Sequence, residues 1–262
     1  MLLAHARHAP GPVRWTFALA LLCVAWPCQG QPAAEAEAAA RPPAGWQLQD
    51  RRLGLGWWHY EEPDMRLQGP AVTLQLALQP PPGQLRPDVI GGELLLATLD
   101  YRSNGTGSLS GVPGVGWGAH ALWAMPPASG HAWRLGLAYE GFWNDLQGST
   151  SNGYRGYERM SNRLWLQARA RPLPDAELQL GVLLRGWQDS WLSQADTRLP
   201  DVRNVQKSGL TLRYRHSAWQ LGSQSVQPWV RYTWVGKSDE VGAQRWYEPR
   251  NRTLDLGIEA RF

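Results

Sequence analysis

The chain has 262 residues, of which 43% are hydrophobic and only 18% charged, with 16 tryptophans, 28 glycines and a formal charge of +4. This length allows one domain or two. A negative mean hydropathy excludes a bundle of membrane-spanning helices. The sparse charge and abundant tryptophan exclude a disordered or nucleic-acid-coating chain, and no Lys/Arg-rich run tracks a phosphate backbone.

Residues 1–30 predict a secretory signal peptide. Arg7 and Arg14 precede an apolar stretch from Trp15 to Trp26, about a dozen residues against the roughly 20 needed to span a bilayer. Pro27-Cys28-Gln29-Gly30 then offers a cut near Gly30. Both cysteines, Cys23 and Cys28, fall in this segment, so the processed chain is expected to carry no disulfide. Without Arg7 and Arg14, 24 basic residues face 22 acidic ones, and the basic balance mostly vanishes. Residues 31–50, opening on an Ala/Glu/Pro-rich stretch, are expected to form a flexible periplasmic lead-in.

From about residue 51 to 262 the pattern is that of strands. Apolar residues alternate with polar ones in runs near 52–60, 70–79, 90–101, 117–125, 131–143, 157–170, 176–188, 207–216, 228–237 and 252–262, separated by Gly/Pro/Asn/Asp/Ser clusters. In the last run Leu254, Leu256, Ile258, Ala260 and Phe262 alternate with Thr253, Asp255, Gly257, Glu259 and Arg261 without error. Successive side chains face opposite sides of a sheet. One face is therefore aliphatic and the other polar and Arg-rich, which fits either a soluble sandwich or a membrane barrel.

Strands near ten residues long, aromatic residues clustered at run ends, an export signal ahead of a cysteine-free chain and a final alternating strand ending on an aromatic favour the barrel. The expected fold is all-β: a transmembrane antiparallel up-and-down β-barrel of about ten strands. Eight or twelve remain open, because the runs 52–60 and 90–101 are ambiguous in phase. Connections at 80–87, 126–130, 171–176 and 217–227 are assigned to the periplasmic side. Longer outer loops are expected at 102–116, 144–156 and 190–206.

Several internal stretches resemble a small porin-like family of bacterial outer-membrane barrels. They are Tyr60-Glu61-Glu62-Pro63-Asp64-Met65, Ser103-Asn104-Gly105-Thr106-Gly107-Ser108, Trp143-Asn144-Asp145-Leu146-Gln147-Gly148 and Gly153-Tyr154-Arg155-Gly156-Tyr157-Glu158-Arg159 with Ser161-Asn162. The terminal Leu256, Ile258, Ala260 and Phe262 resemble the C-terminal signal that the barrel-assembly machinery recognises. These resemblances imply a barrel in the outer membrane of a Gram-negative bacterium, in contact with outer-membrane lipid and lipopolysaccharide. They imply no catalytic role.

Tyr101-Arg102-Ser103-Asn104-Gly105 is similar to the His-x-Ser-Asn-Gly stretch of outer-membrane phospholipases, but a tyrosine stands where the general base belongs. A phenol with a pKa near 10 is a poor base at neutral pH. Asn162 and Ser103 lie on distant runs. His59, His120, Asp145 and Asp189 could serve a surface protease, yet no spacing brings them together. His131 and His216 fall at strand ends. No metal and no cofactor is expected, for want of a His/Cys cluster or a calcium-type Asp loop.

The informative site is the lumen. The inward set is read as Arg134, Arg163, Arg169, Arg185, Arg213, Arg215, Arg231 and Arg261 against Asp100, Glu140, Asp255 and Glu259. Such a set predicts either a salt-bridged interior that stiffens the barrel or an arginine lining that favours anions. The expected function is a porin-like outer-membrane protein serving passive transport of small solutes or envelope structure. The alternative is a surface-exposed phospholipase or protease.

Overall fold

The computed structural model describes residues 45–81, 86–105, 107–126, 132–149, 154–173, 176–191, 202–216, 218–222, 224–243 and 245–262. The signal peptide, its cut and residues 31–44 of the lead-in lie outside these, as does His131.

The strands are β1 (Gln47–Glu61), β2 (Met65–Gln79), β3 (Val89–Ser103), β4 (Gly107–Ala124), β5 (Trp133–Ser149), β6 (Tyr154–Leu173), β7 (Ala176–Trp191), β8 (Val202–Gln206), β9 (Gly209–Arg215), β10 (Trp219–Leu221), β11 (Gln224–Val235) and β12 (Asn251–Arg261). β1 to β7 pair in order, each antiparallel to the next. β8 and β9 share one stave: both pair with β7, and β9 continues to β11. β12 pairs with β11 on one side and with β1 on the other, Trp58 opposite Asp255, and this last ladder closes the ring. β10 is a short spur on β11. The result is a closed antiparallel barrel of ten staves. The barrel begins at Gln47, a few residues before the expected boundary.

The alternation places the aliphatic residues outside. Leu55 (56% exposed), Leu76, Leu96, Val182, Leu212 and Leu256 (45%) stand on the outer surface of strands spread around the ring. A soluble protein does not expose apolar area on this scale, and the belt is the lipid-facing surface of a transmembrane barrel. Trp117 lies in this face with its ring flat over Gly141, where a Cβ would sit 2.1 Å from the indole. Glycine is what lets the ring lie against the barrel wall there.

Strands run further than the alternation predicts. β3 reaches Ser103 and β4 begins at Gly107, so most of the expected loop 102–116 is ladder; the same holds for 144–156 and part of 190–206. Beyond the hydrocarbon the outer face meets water, so backbone pairing continues while the apolar period stops.

Two residues expected inside face outward. On β3 the buried positions Val89, Leu95, Leu99 and Tyr101 keep one parity throughout, so Asp100 between the last two is exposed on the outside, and the extra residue of the register shift there belongs to β4. Opposite Leu164, β7 carries an extra residue, so Leu184 and Arg185 are both exposed and Leu183 is buried. Asp100 and Arg185 therefore do not line the lumen. Asp100 follows from a strand apolar on both faces, whose phase the sequence does not show, and Arg185 from the residue added on β7, which moves every following side chain to the other face.

Candidate functional site: a blind cationic lumen

The two termini of the barrel chain lie at one rim, because Arg52 pairs with Arg261 and Gln47 with Gln79. From this terminal rim a cavity of about 360 Å³ runs upward inside the barrel. Among the described residues its lining carries eight arginines and five carboxylates, a surplus of three positive charges. Arg134, Arg163, Arg169, Arg213, Arg215, Arg231, Glu140 and Asp255 are among them. Arg261 stands at the exposed mouth, 3.1 Å from Asp50. Glu259 lies buried in the wall beside the cavity.

These charges cross-link the staves. Glu259 on β12 accepts from Arg52 on β1 (2.6 Å) and from Gln75 on β2 (3.2 Å), and is ion-paired with Arg215 on β9 and with Arg213 at 3.6 Å. Glu93 on β3 accepts from Arg213 (2.8 Å) and Arg231 (2.9 Å) across the lumen, and Arg231 also holds Asp255 at 2.6 Å. Glu177 accepts from Arg215 at 2.8 Å and faces Arg169 at 3.6 Å. Trp165 Nε1 donates to Glu140 (3.0 Å), and the Arg213 guanidinium sits 5.0 Å over the ring of Trp229, which faces inward rather than joining an outer girdle.

Sequence reasoning missed Arg52, Glu93 and Glu177. The phase of β3 was unreadable because Leu94, Leu95 and Leu96 are apolar on both faces, yet Glu93 shares the parity of buried Val89, Leu95 and Leu99.

Above the cavity the lumen is filled. Trp58, Leu67, Leu99, Val112 and Leu146, from β1 to β5, form a buried apolar cluster, with Phe142 stacked on Trp58 at 4.4 Å and 12°. Leu99 and Leu146 have no solvent exposure. On the facing wall Arg159 of β6 completes the closure. Its Nη2 donates to Glu62 (2.7 Å), Glu248 (2.5 Å), Gln188 (3.1 Å) and the Tyr60 hydroxyl (2.9 Å). Gln188 in turn donates to Glu248 at 2.5 Å, and Tyr60 donates to Glu62. Glu248 belongs to the connection 236–250, which the Ser238–Glu248 bonds of 2.9 and 2.7 Å fold back over the far rim.

Glu62 and Glu248, both beyond the strands, share one guanidinium. Burial, reinforced by the charge of Glu62, pushes the Glu248 carboxyl up to about 8 against the pull of Arg159. Burial also acts on Glu62, but the Arg159 charge and hydrogen bonds from Tyr60 and Glu248 hold it below the usual carboxylate range. A proton held more tightly in the fold than in the open chain stabilises the fold at low pH, and that contribution is lost as pH rises through the folded value. The connection 236–250 is therefore expected to lose hydrogen-exchange protection as pH passes through about 8. Glu248→Gln is expected to leave protection flat across that range; a wild-type profile equally flat would refute the shared proton.

The residues weighed for hydrolysis are dispersed. Ser103 ends β3 at the far rim, while His120 lies near the terminal rim, 3.3 Å from Arg169. Asn162, on β6, accepts from the Tyr139 hydroxyl at 2.5 Å. His59 faces outward beside Gln68 (3.1 Å) and Glu61 (3.5 Å), Asp189 is paired with Arg203 at 2.6 Å, and His216 meets the Tyr214 hydroxyl at 2.8 Å. Asp145 sits on β5, two strands from Ser103. Among the described residues no group of three His, Cys, Asp or Glu side chains is arranged to hold a metal.

No family model matches the chain, and no curated protein matches it. Solved structures similar to it include the outer membrane protease OmpT from Escherichia coli, at 12% identity over 86% of this chain and 99% of that one with a TM-score of 0.44. An outer membrane channel from Pseudomonas putida F1 is similar at 13% identity over 85% and 100%, TM-score 0.45. The beta domain of the Bordetella autotransporter BrkA is similar at 15% identity over 82% and 100%, TM-score 0.38. Scores this low carry no argument about activity, and the barrel stands on its own strand pairing.

Proposed function

We propose that this protein is an outer-membrane barrel of a Gram-negative bacterium whose lumen is shut at the outer rim and open toward the periplasm as a blind, cationic cavity. It serves the envelope as a rigid barrel that admits small anions from below, rather than as an open porin. The observation that carries this reading is the apolar layer around Leu99 and Leu146, wholly buried directly above the arginine-lined cavity. In an even-stranded barrel both chain ends face the periplasm, which puts the open rim there and the layer outside.

The outward, half-exposed Leu256 and Ile258, with Ala260 and exposed Phe262 at the end of the closing strand, support reading β12 as the segment offered to the barrel-assembly machinery. Fractionation is expected to place the processed chain in the outer membrane as a heat-modifiable band. Liposomes carrying it are expected not to swell in isosmotic sugar. Swelling at the rate of an open porin would overturn the closed reading, and a soluble periplasmic product would overturn the location.

A further inference from the structure

We infer that the lower half of the cavity holds a specific site for a small hydroxylated oxyanion of the hydrogen-phosphate type, built from Arg134, Arg169 and Gln167. The inference rests on the periplasm-facing cavity proposed above and names what that cavity takes.

The three side chains adjoin. Arg134 on β5 is directly opposite Arg169 on β6, and Gly136 is opposite Gln167, so the two pairs are successive inward positions of one ladder. Arg134 makes no hydrogen bond and no ion pair among the described residues, and its Nε is sealed from solvent without a partner. Arg169 meets its nearest carboxylate, Glu177, only at 3.6 Å, and its Nε is likewise unpartnered. Elsewhere in the lumen Arg215 and Arg231 hold carboxylates at 2.8 and 2.6 Å, so Arg134 and Arg169 are less fully compensated than these two.

Gln167 is the second, independent observation. It is 1% exposed, lines the cavity, and neither its Nε2 nor its Oε1 has a hydrogen-bond partner. A buried amide left unsatisfied at both ends is costly and rare. A ligand that satisfied it needs an acceptor for Nε2 and a donor for Oε1, beside two guanidinium groups that want oxygen acceptors. Hydrogen phosphate offers both an O–H and anionic oxygens, whereas sulfate at neutral pH has no donor. Two guanidinium groups facing one oxyanion give charge-assisted, multiply hydrogen-bonded recognition. The barrel wall separates the site from lipid, so the anion is a free solute rather than a headgroup.

The test is calorimetric titration of the full processed chain, folded in detergent and checked by its heat-modifiable band, with inorganic phosphate and with sulfate. Phosphate is expected to bind at one site per chain and to bind more tightly than sulfate. Arg134→Gln is expected to weaken phosphate by at least about tenfold, the scale of one lost charge-assisted contact. Gln167→Leu, close in size, is expected to fold normally and to abolish the preference over sulfate. Absence of phosphate binding, or binding that Arg134→Gln and Gln167→Leu leave unchanged, overturns the site. Failure of the closed-lumen reading is distinguishable, since it appears as solute flux through the wild type whatever phosphate does.

Discussion

Glu259→Gln is expected to destabilise the barrel by about 3–5 kcal/mol, the cost of stranding buried charge. Glu259 is almost wholly buried and gathers Arg52, Arg213 and Arg215, from β1 and β9, onto one carboxylate of β12. Removing its charge leaves these guanidinium groups facing one another with only part of their compensation, from Asp50, Glu93 and Glu177. The glutamine is nearly isosteric, so packing is kept and the loss reads the electrostatics alone. Denaturant unfolding of the barrel in detergent or lipid checks it. A loss under about 1 kcal/mol, the range of an exposed ion pair, would mean that water reaches the network and that the interior is not the low-dielectric clamp described above.

The second large effect concerns the layer above the cavity. Trp58→Ala combined with Leu146→Ala is expected to convert a silent barrel into one with discrete conductance steps. Trp58 and Leu146 project from β1 and β5 toward one another's cluster, and Trp58 anchors Phe142 by stacking. The double truncation removes the indole and one fully buried leucine from the middle of the plug, whereas the backbone ladders that close the ring are untouched. The stability cost is about 2–5 kcal/mol for each large core truncation, spread over a barrel whose hydrogen bonds remain. If the double variant stays folded and silent, Arg159 with Glu62 and Glu248 closes the lumen by itself. The Glu248→Gln background then tells whether that latch is electrostatic.

The barrel could be read from sequence because hydrocarbon imposes one strict rule on its outer face. Leu210, Leu212 and Tyr214 against Thr211, Arg213 and Arg215 is such a reading, and those arginines and threonine are buried inside. The rule lapses where the solvent changes. Past the membrane β4 opens on Gly107-Ser108-Leu109-Ser110-Gly111, with Gly111 at φ 77°, and the ladder there carries no apolar period. Arg185 faces outward because a bulge on β7 adds a residue without changing composition, and Asp100 because β3, apolar on both faces, shows no phase.

The plug was hidden for another reason. On β3 the outer wall needs Leu94 and Leu96 while the interior needs Leu95 and Leu99, so a strand apolar on both faces shows no phase. The pairing of Glu62 with Glu248 joins residues 186 positions apart through an arginine on a third strand, which no local pattern encodes. Arg134, Arg163 and Arg169 were legible as inward residues from alternation alone. That Arg134 lacks a carboxylate is visible only once the ring is closed.

The central claim, a lumen shut by buried side chains above a cationic cavity, is tested most directly by single-channel recording of the folded wild-type protein in planar bilayers, with the Trp58→Ala, Leu146→Ala variant as positive control. The account predicts a flat trace for the wild type and steps for the variant. Stable, ohmic steps from the wild type alone would contradict it.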